Sequence, residues 1–257
     1  MSTTKDILVW SCAHADPTAP NDRFNWLGSY IHDTKPDMCI DLGDGADMRS
    51  LNSYDGRNPQ AVVAQSYEAD IDNYNDSQER LRHKVKKMKR KRPMWVGMEG
   101  NHEHRIKKAI SEEPRREGQR YGLSFGHLQT SKWFDEYHEY EHSGPSIANY
   151  SGIDFAHYFS SGNFGSATSG VHHAYTLINN RHNSAVCGHS HKRDVYFKDG
   201  AGSIGMVVGC YKGKPEGWAG QANLDWWKGV VHMKSVEDGV FEPTFISMEQ
   251  LEQEYGP

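Results

Sequence analysis

Five short polar clusters carry the residue types that do chemistry in this chain: Cys12-Ala13-His14, Gly43-Asp44, Gly100-Asn101-His102-Glu103, His157, and Gly188-His189-Ser190-His191. The chain has 15 histidines among 257 residues. Imidazole is the commonest metal ligand and the usual acid–base group near neutral pH. Imidazoles together with carboxylates suit Zn, Fe, Mn or Ni better than Ca. His189 and His191 are two apart. In an extended segment they would share a face, while in a tight loop they could reach two neighbouring ions.

The clusters share a position, because each follows a short apolar run. Ile7-Leu8-Val9-Trp10, Met38-Cys39-Ile40, Met94-Trp95-Val96, Ile153-Asp154-Phe155-Ala156 and Ala185-Val186-Cys187 read as buried strands. In an α/β sheet the carboxyl ends of the strands converge on one edge, where ligands bind. Between the strands, Phe24, Leu27 and Ile31 repeat at helical spacing behind a candidate N-cap, Asn21. Asn58-Pro59 opens a stretch without further Pro or Gly up to Pro93, in which Ala61, Ala64, Tyr67, Ile71, Tyr74, Leu81, Val85 and Met88 keep a 3-and-4 spacing. That pattern predicts one long amphipathic helix with only Gln78 breaking the stripe. Shorter helices are expected at 104–110 and 172–181. The texture then turns to β, with Asp199-Gly200 and Asp238-Gly239 as hairpin signals. A single α/β domain over 1–257, parallel units first and antiparallel strands last, is the simplest organisation.

Composition sets limits. Lys and Arg number 29 against 34 Asp and Glu, a net charge of −5, so the chain is not a polycation that coats nucleic acid. At 11% aromatic it is too rich for disorder. No run approaches the roughly 18 apolar residues of a membrane span, and the first residues lack the apolar stretch of a secretory signal. Four scattered cysteines without a C-x-x-C pair read as reduced. A cytoplasmic location is expected, with no membrane partner.

Gly-Asp at 43–44, Gly-Asn-His-Glu at 100–103, a lone His at 157 and Gly-His-x-His at 188–191 come in the order found in the calcineurin-like metallophosphoesterases, which this sequence resembles from residue 8 to 191. The loop after Asp44 and the helix behind it look like the versions found in tailed bacteriophages, which would place the protein in host cytoplasm. The resemblance implies a four-layer α/β/β/α sandwich and a hydrolase with a binuclear centre of divalent transition metals (Mn, Fe, Zn or Ni). His14, Asp44 and His191 would hold one ion. Asp44 would bridge to a second, held also by Asn101, His157 and His189. His102 would face the substrate as general acid while metal-activated hydroxide attacks the phosphorus. In the phosphoprotein-phosphatase branch an Asp three residues after the bridging one orients the catalytic His, a role that would fall to Asp47.

The sequence departs from that family at the first motif, normally Asp-x-His and here Cys12-Ala13-His14. A thiolate at Cys12 could be a terminal ligand and would favour Zn or Fe over Mg; the alternative is a cysteine that only packs. Met48, Arg49 and Glu99 stand where the protein phosphatases carry their arginine motifs. A phosphate-gripping arginine is therefore expected to be missing, which argues against phosphoprotein. Nine of the thirteen residues from Arg80 to Arg92 are Lys or Arg. That basic helix is either a solvated face or a phosphate-tracking patch for DNA or RNA. A phosphodiester of a nucleotide or nucleic acid is thus the leading substrate. The alternatives are a phosphomonoester, or a catalytically weak binding module on the same fold. His172 and His173 compete with His157 and read as substrate-side or surface groups. His104 and His142 read as solvated, and Trp218, Trp226 and Trp227 as packing.

Overall fold

The computed structural model describes residues 4–52, 65–88, 92–118, 120, 122–141, 144–161, 165–179 and 181–257. Two larger sheets organise them. The first runs in the order β13 (Val240–Ser247), β12 (Gly229–Glu237), β1 (Lys5–Trp10), β2 (Met38–Asp41), β3 (Met94–Met98), β4 (Glu136–His138). β1 to β4 are parallel neighbours, and β12 returns antiparallel to β1. The second runs β10 (Arg193–Lys198), β11 (Ser203–Val208), β9 (Ser184–Cys187), β6 (Ile153–Ala156), β5 (Ala148–Tyr150). Here β11, β9 and β6 are parallel, and β10 and β5 flank them antiparallel. A two-residue pair, β7 (Ser160–Ser161) with β8 (Ser166–Ala167), stands apart.

Strand alternation sorts the core. From β1, Leu8 and Trp10 face α1 (Asp22–Thr34), α2 (Tyr67–His83), α3 (Asn101–Glu112) and α6 (Met248–Tyr255), in one cluster with Phe24, Leu27, Ile31, Tyr74, Leu81, Ile106 and Leu251. Ile7 and Val9 point the other way and join Ile40 and Val96 against Phe155, Val186, Met206 and Val208 of the second sheet. The far side of that sheet, through Ala156, Ala185, Cys187 and Val207, packs on Ala174 and Leu177 of α5 (His173–Asn179). The short α4 (Thr130–Trp133) leads into β4.

Several expectations change. The helix expected to run unbroken to Arg92 ends at His83, and a 3-10 turn follows at Val85–Lys87. Side chains three apart eclipse in that tighter helix, which lets Val85 and Met88 both bury. The basic run is therefore not one helical face. Arg82 is buried, stacks over Trp95 at 4.1 Å and donates to the Gln78 side chain and the Trp133 carbonyl, so Gln78 is a buried acceptor rather than a gap in the stripe. Arg80 pairs with Asp22 and Asp76, and Lys86 with Glu79. The expected helix start at Asn58-Pro59, the loop tip at 53–56, Lys89 to Lys91 and His142 lie outside the described residues. Asn21 precedes α1 but caps nothing with its side chain; its amide donates to Asn73 and Asp76 of α2. α3 starts three residues earlier than expected. Among the described residues no helix is long and apolar enough to cross a membrane.

α1 and α2 touch backbone to backbone at Gly28, where an added Cβ would lie 2.3 Å from the Leu81 carbonyl oxygen. Alanine would gain about 1 kcal/mol of helix propensity, but overpacking costs about 1–3 kcal/mol. Gly28→Ala is therefore expected to lower stability, read as an earlier urea midpoint, and an unchanged midpoint would mean the two helices slide apart freely.

Candidate metal centre

The parallel strands put their carboxyl ends on one edge of each sheet, and the loops that leave them are tied together. Cys12 N donates to Gly43 O (2.9 Å), His14 N to Asp44 O (2.9 Å) and Tyr211 N to Ser11 O (2.8 Å). The His157 ring bonds the Leu42 carbonyl across the two sheets at 2.8 Å. Close approach requires glycine at two points. A Cβ on Gly100 would sit 2.2 Å from both Asp44 N and Asp44 Oδ1, and one on Gly188 would sit 2.0 Å from Ser11 Oγ. Glu103, buried at the start of α3, accepts from the backbone N–H of Asp44 (2.9 Å), Ala46 (2.8 Å) and Gly100 (3.0 Å). Burial, then the neighbouring Asp44, pushes its carboxyl up to about 8.

Five of the predicted site residues are held in the left-handed region: Cys12 (φ 52°), His14 (44°), Asp44 (56°), His189 (65°) and His191 (61°). Residues with side chains seldom adopt it, and where they do they cluster at functional sites. The effect is to aim these side chains at one locus.

Around Asp44 the donors crowd. His157 Nε2 lies 3.2 Å from Asp44 Oδ2, 3.0 Å from Asn101 Oδ1 and 3.1 Å from His189 Nδ1. His14 Nε2 lies 3.1 Å from His191 Nε2 and 4.0 Å from Asp44 Oδ2. The other ring nitrogens fix the tautomers. His157 Nδ1–H must donate to the Leu42 carbonyl, and His14 Nδ1–H donates to Asp47 Oδ1 at 2.9 Å. Each Nε2 is therefore the ring nitrogen turned toward the cluster, the arrangement of a metal-ligating histidine whose outer N–H is held by a carbonyl or carboxylate. Three groupings offer ligand atoms within 4.8 Å of one another: Cys12, His14 and His191; Cys12, Asp44 and His157; His14, Asp44 and His102. The donor set fits a divalent cation of borderline softness.

Electrostatics agree with that geometry. Burial alone would raise the Asp44 carboxyl, but His157, His102 and His14 outweigh it and hold it well below the usual range. Burial opposes charge on His157 too, yet Asp44 raises it. Burial pushes His189 down to about 4 and His191 to about 3, keeping both neutral and available as ligands. The Cys12 thiol is driven well above its ordinary value by burial, then by Asp44. Its Sγ accepts from His189 N at 3.3 Å and sits 3.1 Å from Ser11 Oγ.

His102 borders this cluster and is half-buried: its Nε2 lies 4.0 Å from Asp44 Oδ2, and its ring stands edge-on to that of His14, centroids 4.4 Å apart. Its Nδ1 is 2.6 Å from Asp47 O and 3.2 Å from Asp47 Oδ1. Asp47 thus meets both His14 and His102. Three residues the sequence reading passed over belong here. Glu103 stood in a motif but was given no role. Arg105, one helical turn after His102, donates to His102 Nε2 at 3.1 Å, so an arginine does stand beside His102, and the i, i+3 spacing could have revealed it. Lys212 is only 2% exposed and lies 3.6 Å from Asp47 Oδ1 and 2.6 Å from Glu216; it arrives because β11 runs parallel to β9, which apolar pattern alone does not disclose. His173 is neither surface nor substrate-side: it is buried and contacts Ser190 Oγ at 3.2 Å. His172 is exposed. His104 pairs with the buried Glu99 and stacks on Tyr140. Trp226 sits edge-on to His191, ring centroids 4.4 Å apart, while Trp227 packs on Phe245.

No protein-family model matches the chain, and no curated protein does. Among solved structures, a conserved uncharacterized protein of Streptococcus pneumoniae TIGR4, described as a predicted phosphoesterase, aligns at 11% identity and a TM-score of 0.39 over 97% of this chain and 92% of that one. The protein TT1561 of Thermus thermophilus aligns at 9% identity and a TM-score of 0.39, over 95% of this chain and 99% of that one. At that distance neither likeness carries a function to this chain.

Unfolded, His189 and His191 would titrate near about 6.5. Because the folded state holds them neutral down to about 4 and about 3, their contribution is complete above the unfolded value and is lost as pH falls through that window. His157, shifted upward, acts with the opposite sign. The metal-free His189→Asn/His191→Asn protein should therefore show a smaller drop in urea midpoint between pH 7 and pH 4.5 than the parent; an equal drop would refute the assignment. For Cys12, alanine is expected to reduce the metal retained after dialysis and aspartate to shift preference toward harder ions. Elemental analysis showing neither change would remove Cys12 from the ligand set.

Proposed function

We propose that the chain is a metal-dependent phosphoric ester hydrolase with a binuclear centre. The observation that carries this is the crowd of lone pairs at Asp44: His157 Nε2, His189 Nδ1 and Asn101 Oδ1 meet beside its carboxylate, and the outer N–H groups of His157 and His14 are already committed elsewhere. Cys12, His14, Asp44 and His191 would hold one ion, and Asp44, Asn101, His157 and His189 the other. Mn, Fe, Zn or Ni fits the set, with a Cys12 thiolate favouring Zn or Fe. When bound, two such ions would supply a clamp for a phosphoryl group and a lowered pKa for bound water. The three core clusters support the four-layer α/β/β/α stacking expected for such an enzyme.

The chain's own residues supply the rest. Asn101 offers a neutral oxygen, which limits negative charge beside an anionic substrate. His102, tethered at Nδ1 by Asp47, holds Nε2 4.0 Å from Asp44 Oδ2, where once protonated it can pass a proton to the leaving oxygen. Asp47 orients His102 and His14 together. A phosphodiester of a nucleotide or nucleic acid is the leading substrate, since the arginine motifs of protein phosphatases are missing at positions 48, 49 and 99. The basic 80–92 segment supports nucleic acid less than its composition suggests, with Arg82 buried and Arg80 and Lys86 in ion pairs. A phosphomonoester is the second reading, favoured by Arg105 beside His102.

Stripped protein reloaded with each metal in turn should hydrolyse bis-(p-nitrophenyl) phosphate faster than p-nitrophenyl phosphate, with cyclic nucleotides and single- and double-stranded DNA compared alongside. His102→Gln should keep its metal and lose about 10²–10⁴ in kcat. Faster turnover of the monoester would reverse the substrate order, and inertness of the fully loaded protein would overturn the enzyme reading.

A further inference from the structure

We infer that Arg105 is a binding residue for the phosphoryl group, gripping its non-bridging oxygens beside His102. The inference rests on the phosphoester reading and deepens it. Arg105 lies on α3 one turn after His102, so the two side chains project from one face. Its Nη1 donates to the carbonyls of Asp47 (2.9 Å) and Met48 (3.3 Å), and its Nη2 to His102 Nε2 (3.1 Å). These partners fix the guanidinium without neutralising it. Among the described residues no carboxylate pairs with it within 4.0 Å.

The other half-buried and buried cations nearby differ in this respect. Lys212 is matched by Glu216 and Asp47, and Lys107 by Glu99 and Glu139. Arg105 alone of these three presents a guanidinium with no carboxylate partner, and it does so 3.1 Å from the His102 nitrogen that lies 4.0 Å from Asp44. Nη1 is occupied by two carbonyls, while Nε and one Nη2 hydrogen have no acceptor among the described residues. A guanidinium is the group of choice for paired oxygens of phosphate. Placed beside a centre that would hold divalent cations, an unmatched positive charge is unfavourable unless an anion lies between them. The anion that fits must also reach His102 Nε2 with its leaving oxygen. A phosphate ester bound with one oxygen on the Arg105 fork meets both conditions, displacing the Arg105–His102 contact as it enters. Because the fork adds a full charge, its loss weakens binding of a dianionic monoester more than of a monoanionic diester, a difference read in KM and separate from the order of turnover proposed above.

The test titrates inorganic phosphate into metal-loaded protein by calorimetry, with metal content checked by elemental analysis, and compares p-nitrophenyl phosphate with bis-(p-nitrophenyl) phosphate. Arg105→Gln is expected to weaken phosphate binding by about 10- to 100-fold, the worth of charge-assisted hydrogen bonds, and to raise KM for the monoester more than for the diester at unchanged metal content. Arg105→Lys, which keeps the charge but not the fork, should fall between the two. Unchanged phosphate affinity in Arg105→Gln overturns the inference. If that variant does not fold, Arg105→Lys decides, weaker phosphate binding supporting the role and equal binding ending it. Should the loaded parent hydrolyse neither ester, the phosphoester reading fails while the phosphate titration still judges Arg105.

Discussion

The structure depends on a buried carboxylate ringed by imidazoles. Asp44 is 2% exposed, and a charge taken that far from water is costly unless it is matched. What surrounds it is imidazole nitrogen, amide oxygen and sulfur, with a backbone N–H from His102 on Oδ1 at 2.8 Å as the direct neutral donor. Neutral histidines whose lone pairs face one another repel. Without a cation, an N–H of His191 turned to His14 and one of His189 turned to His157 can satisfy such a cluster; a cation would take up the same lone pairs. The geometry is therefore imposed from outside the cluster.

It is imposed by the loops and the sheets beneath them. Left-handed backbone at a residue with a side chain costs of order 1–3 kcal/mol, and five such residues lie among the candidate donors. They persist because cross-loop hydrogen bonds leave few alternatives and because the strands feeding them are buried on both faces. Glu103 does for the Asp44 loop what a helix cap does for a helix end: one carboxylate gathers three backbone N–H groups, among them that of Gly100 just before α3. That helix start and the Asp44 loop are thereby locked in one register, which places Asn101 and His102 on either side of the carboxylate they serve.

Much of this is legible in the sequence. Short apolar runs followed by polar clusters mark β1, β2, β3, β6 and β9, and the convergence of their carboxyl ends follows from parallel pairing. The hairpins at Asp199-Gly200 and Asp238-Gly239 are read from turn chemistry and lie where β10 meets β11 and β12 meets β13. What escapes depends on non-local packing. Periodicity does not say that β12 returns to β1, or that β11 lies parallel to β9 and delivers Lys212. The basic run resembles a helical face because charge carries no sign of burial, yet Arg82 finds Trp95 and the Trp133 carbonyl and turns inward. Arg105 is hidden because it occupies none of the family's arginine positions and lies instead on α3, one turn after His102.

Asp47 is where these threads meet, and its position explains why two histidines of different roles need one residue. Its carboxylate holds His14 Nδ1, whose other nitrogen faces His191, while its carbonyl holds His102 Nδ1, whose other nitrogen lies between Asp44 and Arg105. Burial alone would raise this carboxyl, but His102, His14 and Lys212 hold it well below its ordinary range. It stays an anion, so it can polarise both rings. Arg105 grips the same Asp47 carbonyl and Lys212 approaches the same carboxylate. A shift of the 47–48 backbone would therefore move the aim of His14, the aim of His102 and the seat of the guanidinium at once. That coupling is a reason for the buried Lys212–Glu216 pair nearby: it fixes from behind a residue whose two faces both carry chemistry.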